Sequence, residues 1–189
     1  MSEKLVIGLA GMPGAGKSIV ATVAKDNGYD IVVMGDVIRE EAKKRGLEPN
    51  PENLGKIMLE LRQKEGNAVV AKRSLQRIEN SKKPKIIVDG IRSLSEVAEF
   101  KKHFPKFTLI AVEASTETRF KRLYHRKRSD DPKSWKIFHE RDRRELNVGL
   151  GEAITTAKYK IRNEEKKAIV KEKVEQILKK VETQKLKTV

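Results

Sequence analysis

Short segments of strand length alternate along the chain with longer segments in which apolar residues recur every three or four positions. Four of the short segments, residues 5–10, 31–34, 85–90 and 107–112, have the apolar composition of buried strands. Residues 158–162 are predicted to form a fifth strand. The longer segments are typical of helices with one buried face. Because alternating strands and helices form a parallel sheet covered on both faces, the pattern predicts an α/β protein with three α/β/α layers and a five-stranded parallel sheet.

The connection between the second and third predicted strands is long. Apolar residues recur at helical spacing through most of residues 36–82, which predicts several helices and no strand. Asp36 is placed to cap the first of these helices. Since about a dozen residues can connect two parallel strands, the pattern indicates a helical insertion at 36–82.

A second helical segment separates the fourth and fifth predicted strands. Ser115 is placed to cap its first helix, and Asp131 followed by Pro132 to begin another. Between residues 119 and 144, eleven side chains are Lys or Arg and four are Asp or Glu. This segment therefore carries a large share of the positive charge of the chain.

One motif lies between the first predicted strand and the helix that follows it. The sequence Gly11-Met12-Pro13-Gly14-Ala15-Gly16-Lys17-Ser18 has the spacing G-x-x-x-x-G-K-S. Its glycines let successive N–H groups point into one concavity, and the helix N-terminus adds a positive dipole end. Lys17 can reach terminal phosphates and Ser18 can ligate Mg²⁺, whereas a glycine-rich turn without a ligand leaves both unexplained. Residues 11–18 therefore predict a nucleotide-phosphate site.

Composition narrows the class of protein and its partners. The 189 residues are 38% hydrophobic, which suffices for a single domain over 1–189. We find no apolar run of membrane-spanning length and no signal-peptide pattern, so we expect a cytoplasmic protein without membrane contact. The chain has no cysteine and 37% charged residues, which suggests a thermophile. A net charge of +15 indicates anionic partners such as ATP, an acidic metabolite or nucleic acid.

Three further candidates directly follow predicted strands, where parallel sheets bind ligands: Asp36, Asp89 and Arg92. Asp89 can hold Mg²⁺ directly or through water, with turn capping as the alternative. Asp36 either caps its helix or takes the proton of a hydroxyl acceptor. The planar guanidinium groups of Arg92 and Arg39 are suited to hydrogen-bond a phosphate. Arg39 can alternatively be an ordinary surface residue of a helix.

Three segments resemble the nucleoside monophosphate kinases, adenylate kinase above all. Residues 35–39 resemble the opening of the acceptor-binding flap, and 89–92 resemble the Asp-Gly-Phe-Pro-Arg stretch after the third strand, without its proline. Residues 126–131 resemble the arginines and paired acids of the lid over ATP. The pattern at 157–163 is similar to dephospho-coenzyme A kinases, and an archaeal group of adenylate-kinase-related proteins is similar over nearly the whole chain.

The resemblance implies a P-loop kinase fold with residues 36–82 as the acceptor-binding flap and 119–149 as a basic lid. Arg39 and Arg92 would hold the acceptor phosphate. Arg128 first, and Arg126 second, would close onto the transferring group and act with Lys17 in catalysis. The remaining lid candidates are Arg122, Arg141 and Arg144.

Glu96 departs from the family pattern, since adenylate kinase has there the glutamine that reads the adenine of the acceptor. An ionised carboxylate can only accept hydrogen bonds. Glu96 would therefore accept a hydrogen bond from the adenine amino group but could not donate one to the adenine ring nitrogen. It could also accept hydrogen bonds from the ring N–H and the amino group of guanine. The implied activity is transfer of the terminal phosphate of ATP, with Mg²⁺, to a nucleoside monophosphate, AMP being favoured.

Two alternatives to a nucleoside monophosphate kinase stay open. One is a kinase of a small hydroxyl acceptor, similar to dephospho-coenzyme A kinase, and the other is a nucleotide-binding regulator with little turnover. Nucleic acid is a less favoured partner, because the basic segment contains few aromatic residues and Trp135 is expected in a small core of the lid. The sequence makes no prediction of the oligomeric state.

Overall fold

A computed structural model describes residues 4–128 and 131–186 of the chain. The strands are β1 (Leu5–Ala10), β2 (Asp30–Val33), β3 (Lys85–Ile91), β4 (Thr108–Glu113) and β5 (Tyr159–Arg162). The helices are α1 (Lys17–Asp26), α2 (Gly35–Lys44), α3 (Pro51–Glu65), α4 (Val69–Asn80), α5 (Leu94–His103), α6 (Thr116–Arg126), α7 (Trp135–Asn147), α8 (Leu150–Thr155) and α9 (Lys167–Leu186).

The five strands form one sheet in the order β2-β3-β1-β4-β5, and each neighbouring pair is parallel. The predicted α/β fold with a five-stranded parallel sheet is therefore confirmed. Strand β1 lies at the centre and all six of its residues are buried. Since the strands run in the same direction, the loops that follow them meet at one edge of the sheet.

The core lies on both faces of the sheet. Val6 belongs to an apolar cluster that packs the sheet against α2, α3, α4, α5 and α8, whereas its neighbours Leu5 and Ile7 belong to a second cluster with α1 and α9. Successive residues of a strand point to opposite faces, so this alternation produces the three layers.

Residues 36–82 contain α2, α3 and α4, as the apolar spacing predicts. The predicted cap at Asp36 is wrong, because α2 begins at Gly35 and places Asp36 in its first turn. The N–H of Met34 donates to Asp89 O at 2.9 Å, and Met34 O accepts from the N–H of Val37. The chain therefore enters α2 directly after β2, and Met34, the residue before the helix, makes no side-chain cap hydrogen bond.

The basic segment contains α6 and α7. Ser115 caps α6 as predicted, but α7 begins at Trp135 behind a Ser134 cap, so the helix start predicted at Asp131 and Pro132 is wrong. Asp131 is buried and its carboxylate is occupied by other hydrogen bonds. The lid positions 129 and 130 lie outside the described residues.

Within residues 4–128 and 131–186, no helix has both the length and the apolar character needed to cross a membrane.

Candidate nucleotide-binding site

Residues 11–16 connect β1 to α1, and glycine lets this loop pass close to its neighbours. Gly14 has a φ of +82°, and a Cβ built on it would lie 2.6 Å from Arg119 O. A Cβ on Gly11 would lie 2.5 Å from Val112 O. Both distances are far below van der Waals contact, so a larger residue at either position would force the loop away from β4 and α6.

Three side chains hold the carbonyl groups of this loop from outside. Arg119 Nη1 donates to Pro13 O at 3.1 Å, and Arg122 Nη1 donates to Ala15 O at the same distance. Asn163, directly after β5, donates from Nδ2 to Ala15 O at 2.8 Å. In a trans peptide the N–H points away from the preceding carbonyl, so the N–H groups that follow Pro13 and Ala15 are turned toward the opposite side. This side is where phosphate oxygens would bind.

Arg119 also joins the loop to both helices of the basic segment. Its guanidinium makes two hydrogen bonds to the Asp142 carboxylate of α7, at 2.9 and 2.5 Å, and lies 4.9 Å from the ring centroid of Phe138. Both charged side chains are largely buried. Arg119, held by Asp142, therefore positions the loop through its backbone.

Lys17 is the first residue of α1, and its Nζ donates to Gly11 O at 2.7 Å. Burial lowers the pKa of the Lys17 amine, the Asp89 carboxylate acts in the opposite direction, and the Arg92 guanidinium lowers it further. The charges of Asp89 and Arg92, both at the end of β3, thus act on Lys17, which follows β1.

Asp89 lies in β3 beside the phosphate loop. Its Oδ1 is buried and, among the described residues, has no hydrogen-bond partner. Burial raises the pKa of Asp89, while Lys17 and Arg92 lower it. An unpartnered carboxylate oxygen at Asp89 and an exposed hydroxyl at Ser18, in the first turn of α1, are ligands of the kind that Mg²⁺ takes. Within the described residues, no three or more His, Asp or Glu side chains are grouped so that they could hold a metal ion.

The predicted acceptor residues of α2 are paired with each other. Arg39 Nη1 forms an ion pair with Asp36 Oδ1, and Arg77 Nη1 of α4 lies 4.0 Å from the other Asp36 oxygen. The side chains of Asp36 and Arg39 are 43% and 53% exposed. These charges neutralise one another at the surface, so an acceptor would have to compete with the pair.

Arg92 is partly exposed and pairs with Glu145 of α7 at 3.1 Å, while its Nη1 lies 3.8 Å from Met58 Sδ. Its charge acts on both Lys17 and Asp89. Of the two predicted acceptor arginines, Arg92 is thus the one that the structure places by the phosphate loop.

Glu96 is 1% exposed and already has partners on both oxygens. Oε1 accepts from Arg62 Nη2 of α3, and Oε2 accepts from the N–H of Arg92, each at 2.7 Å. Burial raises the pKa of Glu96 and Arg62 opposes this shift. Within the described part of the chain, Arg62 Nε and Nη1 are buried without a partner. Glu96 therefore holds α3 against α5, which differs from the expectation that it faces the base of an acceptor.

The lid candidates have different roles. Arg126 donates from Nε and Nη2 to the Asp131 carboxylate at 3.0 and 2.6 Å. The backbone N–H of Arg128 donates to the same carboxylate, and the Arg128 side chain is exposed. Arg141 lies 3.9 Å from Asp131, and its charge acts on Lys17. Arg122 supports the phosphate loop instead. Of these arginines, Arg122 thus contacts the loop, whereas Arg126 and Arg141 lie beside Asp131.

Sequence reasoning missed Arg119, Asp142 and Glu145, and it gave Asn163 no role at the loop. Asn163 directly follows β5, and that position was an available signal. The other three lie in a segment where more than half of the residues are charged, so their burial had no local signal.

The comparisons with known proteins agree with this geometry. A family model described as an AAA domain matches residues 10–138, more than half of the chain. A UPF0200 protein of Hyperthermus butylicus is 45% identical over 163 residues, covering 86% of this chain and 87% of the relative. The chain is therefore a UPF0200 protein with an AAA domain.

Two solved structures share the fold of this UPF0200 protein. TT1252 from Thermus thermophilus has a TM-score of 0.65 at 19% identity and covers 96% of this chain and 97% of its own. Shikimate kinase from Acinetobacter baumannii, solved with shikimate, has a TM-score of 0.58 at 17% identity and covers 98% of this chain and 97% of its own. The UPF0200 chain thus has a P-loop, kinase-like nucleotide-binding fold.

Proposed function

We propose that this UPF0200 protein is a Mg²⁺-dependent kinase that transfers the terminal phosphate of ATP to a nucleoside monophosphate, with AMP as the favoured acceptor. The observation that carries the proposal is the convergence of Lys17, Asp89 and Arg92 at the phosphate loop. Phosphoryl transfer depends mainly on positioning and charge neutralisation, and these residues supply both.

In this proposal the loop at residues 11–16, with Lys17 and Ser18, binds the phosphates of the donor ATP. Gly11, Met12, Pro13, Gly14, Ala15, Gly16, Lys17 and Ser18 surround the donor phosphates, and the Lys17 amine exchanges Gly11 O for a phosphate oxygen. Ser18 and Asp89 would hold Mg²⁺, which neutralises phosphate charge when bound. Arg126 and Arg128 act from the lid at 119–149.

In this proposal two arginines bind the phosphate of the acceptor nucleotide. Arg92 and Arg39 bind the acceptor phosphate, each exchanging its protein carboxylate for the dianion. An oxygen of that phosphate forms the new bond to phosphorus as the bond to the leaving oxygen of ADP breaks, so no general base is needed. The preference for AMP rests on the resemblance to adenylate kinase, because Glu96 is buried and paired with Arg62.

A hydroxyl acceptor is the second candidate. Asp36 is a half-exposed carboxylate in the first turn of α2, at the edge of the sheet where the phosphate loop lies. In that reaction Asp36 would leave Arg39 and take the hydroxyl proton as the oxygen attacks phosphorus.

Calorimetric titration with AMP and GMP tests the acceptor site. The wild type should bind AMP, and Arg92→Ala and Arg39→Ala should each bind it about tenfold or more weakly, as expected for loss of a charge-assisted hydrogen bond. Arg45→Ala, which removes an arginine paired with Glu41 and Glu60, is the matched control and should bind like the wild type. If neither nucleotide binds, or if Arg39→Ala and Arg92→Ala bind normally, the hydroxyl-acceptor or regulator hypothesis takes precedence.

A further inference from the structure

Aromatic side chains of α6 and α7 form a continuous row at the surface. Phe120 and Trp135 stack with ring centroids 4.0 Å apart, Tyr124 lies 5.8 Å from Phe120, and His139 stacks 5.6 Å from Trp135. Phe138 is fully buried and meets Phe120 and Trp135 edge-on. Trp135 was predicted to lie in a small core of the lid, but the buried residue there is Phe138. Trp135 is 43% exposed and Tyr124 is 52% exposed.

The ring row faces away from the phosphate loop. In α6, Arg119 and Arg122 recur at helical spacing and contact the loop, whereas Phe120 and Tyr124 recur on a different side of the helix. This separation means that the row is not needed to hold the loop.

In the basic segment, most of the described acidic side chains are buried and many basic side chains are exposed. The carboxylates of Asp131 and Asp142 are buried in pairs with Arg126 and Arg119, so they do not neutralise the outer surface. Among the described residues from 119 to 144, Glu140 is the one exposed acid. The exposed cations of this segment that are not in those pairs are Lys121, Lys127, Arg128, Lys133, Lys136, Arg143 and Arg144.

We propose that the ring row and the exposed lysines of this segment form a binding surface for single-stranded nucleic acid, a function beyond the proposed kinase activity. Single strands present unpaired bases that can extend a row of rings, and phosphates that match the positive charge of the lysines in the same segment. A duplex hides its base faces, and an acidic polypeptide matches the charge but not the rings. The observations therefore favour a single strand over the other polyanions.

Trp135 is the single tryptophan of the chain, so its fluorescence reports on this surface directly. The experiment titrates the full-length protein, with ADP and Mg²⁺ added to fill the nucleotide site, with a 12-nucleotide RNA of mixed sequence. We expect quenching of Trp135 fluorescence and an affinity that falls with added salt. Tyr124→Ala should weaken RNA binding about tenfold, in the range found for loss of one stacked base. It should leave ATP binding unchanged.

The contribution of charge is tested by a matched pair of variants. Lys121→Ala/Lys136→Ala should weaken RNA binding and reduce the slope of log affinity against log salt by about 1.4 if two phosphate contacts are lost. Lys179→Ala/Lys180→Ala removes two exposed lysines of α9 and should behave like the wild type. Inorganic polyphosphate should bind without sensitivity to Tyr124→Ala.

Three results would overturn the proposal. The first is absence of RNA binding, and the second is equal RNA affinity in Tyr124→Ala and the wild type. The third is binding of a polyglutamate peptide that is tighter than RNA and more sensitive to Tyr124→Ala, which would assign the surface to acidic protein segments.

Discussion

The two halves of the candidate site are built differently. On the donor side, the carbonyl groups of the phosphate loop are held by Arg119, Arg122 and Asn163, so the loop is positioned by buried contacts to its backbone. On the acceptor side, Asp36 and Arg39 are more than two fifths exposed and are held by each other. A fixed backbone prepares the donor site before any ligand binds, whereas the acceptor residues become available only when their ion pairs break.

This difference has an energetic consequence. An exposed ion pair contributes little to folding, while removal of one partner from a buried pair leaves an uncompensated charge. We therefore expect substitutions of the side chains that hold the loop, such as Arg119, to affect stability and nucleotide binding together. Substitutions at Asp36 and Arg39 should affect acceptor binding alone.

Arg119→Ala should give the largest effect on stability. It should lower the free energy of unfolding by about 3–5 kcal/mol, because Asp142 loses its partner while largely buried. The matched acceptor-side variant, Arg39→Ala, should change it by less than about 1 kcal/mol. Urea denaturation of both proteins measures this contrast, and equal losses in the two variants would remove the distinction between the two halves.

Lys17→Ala should abolish ATP binding while the fold is kept. We expect ATP affinity to fall by about 100-fold or more, equivalent to about 2.7 kcal/mol, because the terminal phosphates lose their ammonium partner. Lys25→Ala, which changes an exposed lysine on the same helix, serves as the control. Calorimetry with the ATP analogue AMPPNP measures both, and normal affinity in Lys17→Ala would refute the phosphate-loop assignment.

Glu96→Gln separates a structural role from base recognition. The structure leads us to expect a loss of about 2 kcal/mol in unfolding free energy, because the buried Arg62 guanidinium loses a charged hydrogen-bond partner. A base-reading Glu96 would instead give unchanged stability and altered AMP affinity. Thermal unfolding and AMP titration of the same variant decide between these outcomes.

Glu164→Gln should have the smallest effect on the free energy of unfolding, and that effect should depend on pH. Hydrogen bonds from the side chain and N–H of Ser115, with help from Arg162, lower the pKa of Glu164 from 4.5 to about 2. A carboxyl with a lowered pKa stabilises the folded state above its unfolded pKa and loses that contribution as pH falls through its folded pKa. Wild type should therefore be more stable than Glu164→Gln at pH 6, and the difference should disappear between pH 4.5 and 2. A difference independent of pH in urea titrations would contradict this.

The donor half could be predicted from sequence because its specification is local. The glycine spacing, Lys17 and the preceding apolar strand lie within a few residues of one another, so the loop, its strand and its helix are all recognisable. The three inner strands β1, β3 and β4 were also recognisable, because each is a short and mostly apolar run with a buried centre. The edge strand β5 is only partly buried, and its sequence signal is weaker.

The acceptor half and the loop supports could not be predicted in the same way. Whether Glu96 faces a base or Arg62 depends on where α3 packs, more than thirty residues away in sequence. The burial of Arg119 depends on Asp142 in another helix. Side chains of the same type are spread throughout these segments, so only tertiary packing decides which are buried and paired.

The most direct test of the central claim is phosphoryl transfer followed by ³¹P NMR. The protein is incubated with ATP and Mg²⁺, and AMP, CMP, GMP or UMP is added in separate samples, each with Lys17→Ala as the inactive control. We expect ADP to accumulate as ATP and AMP disappear together, and Lys17→Ala to show no change. Loss of ATP at the same rate with and without a monophosphate, or transfer to none of the four, would contradict it.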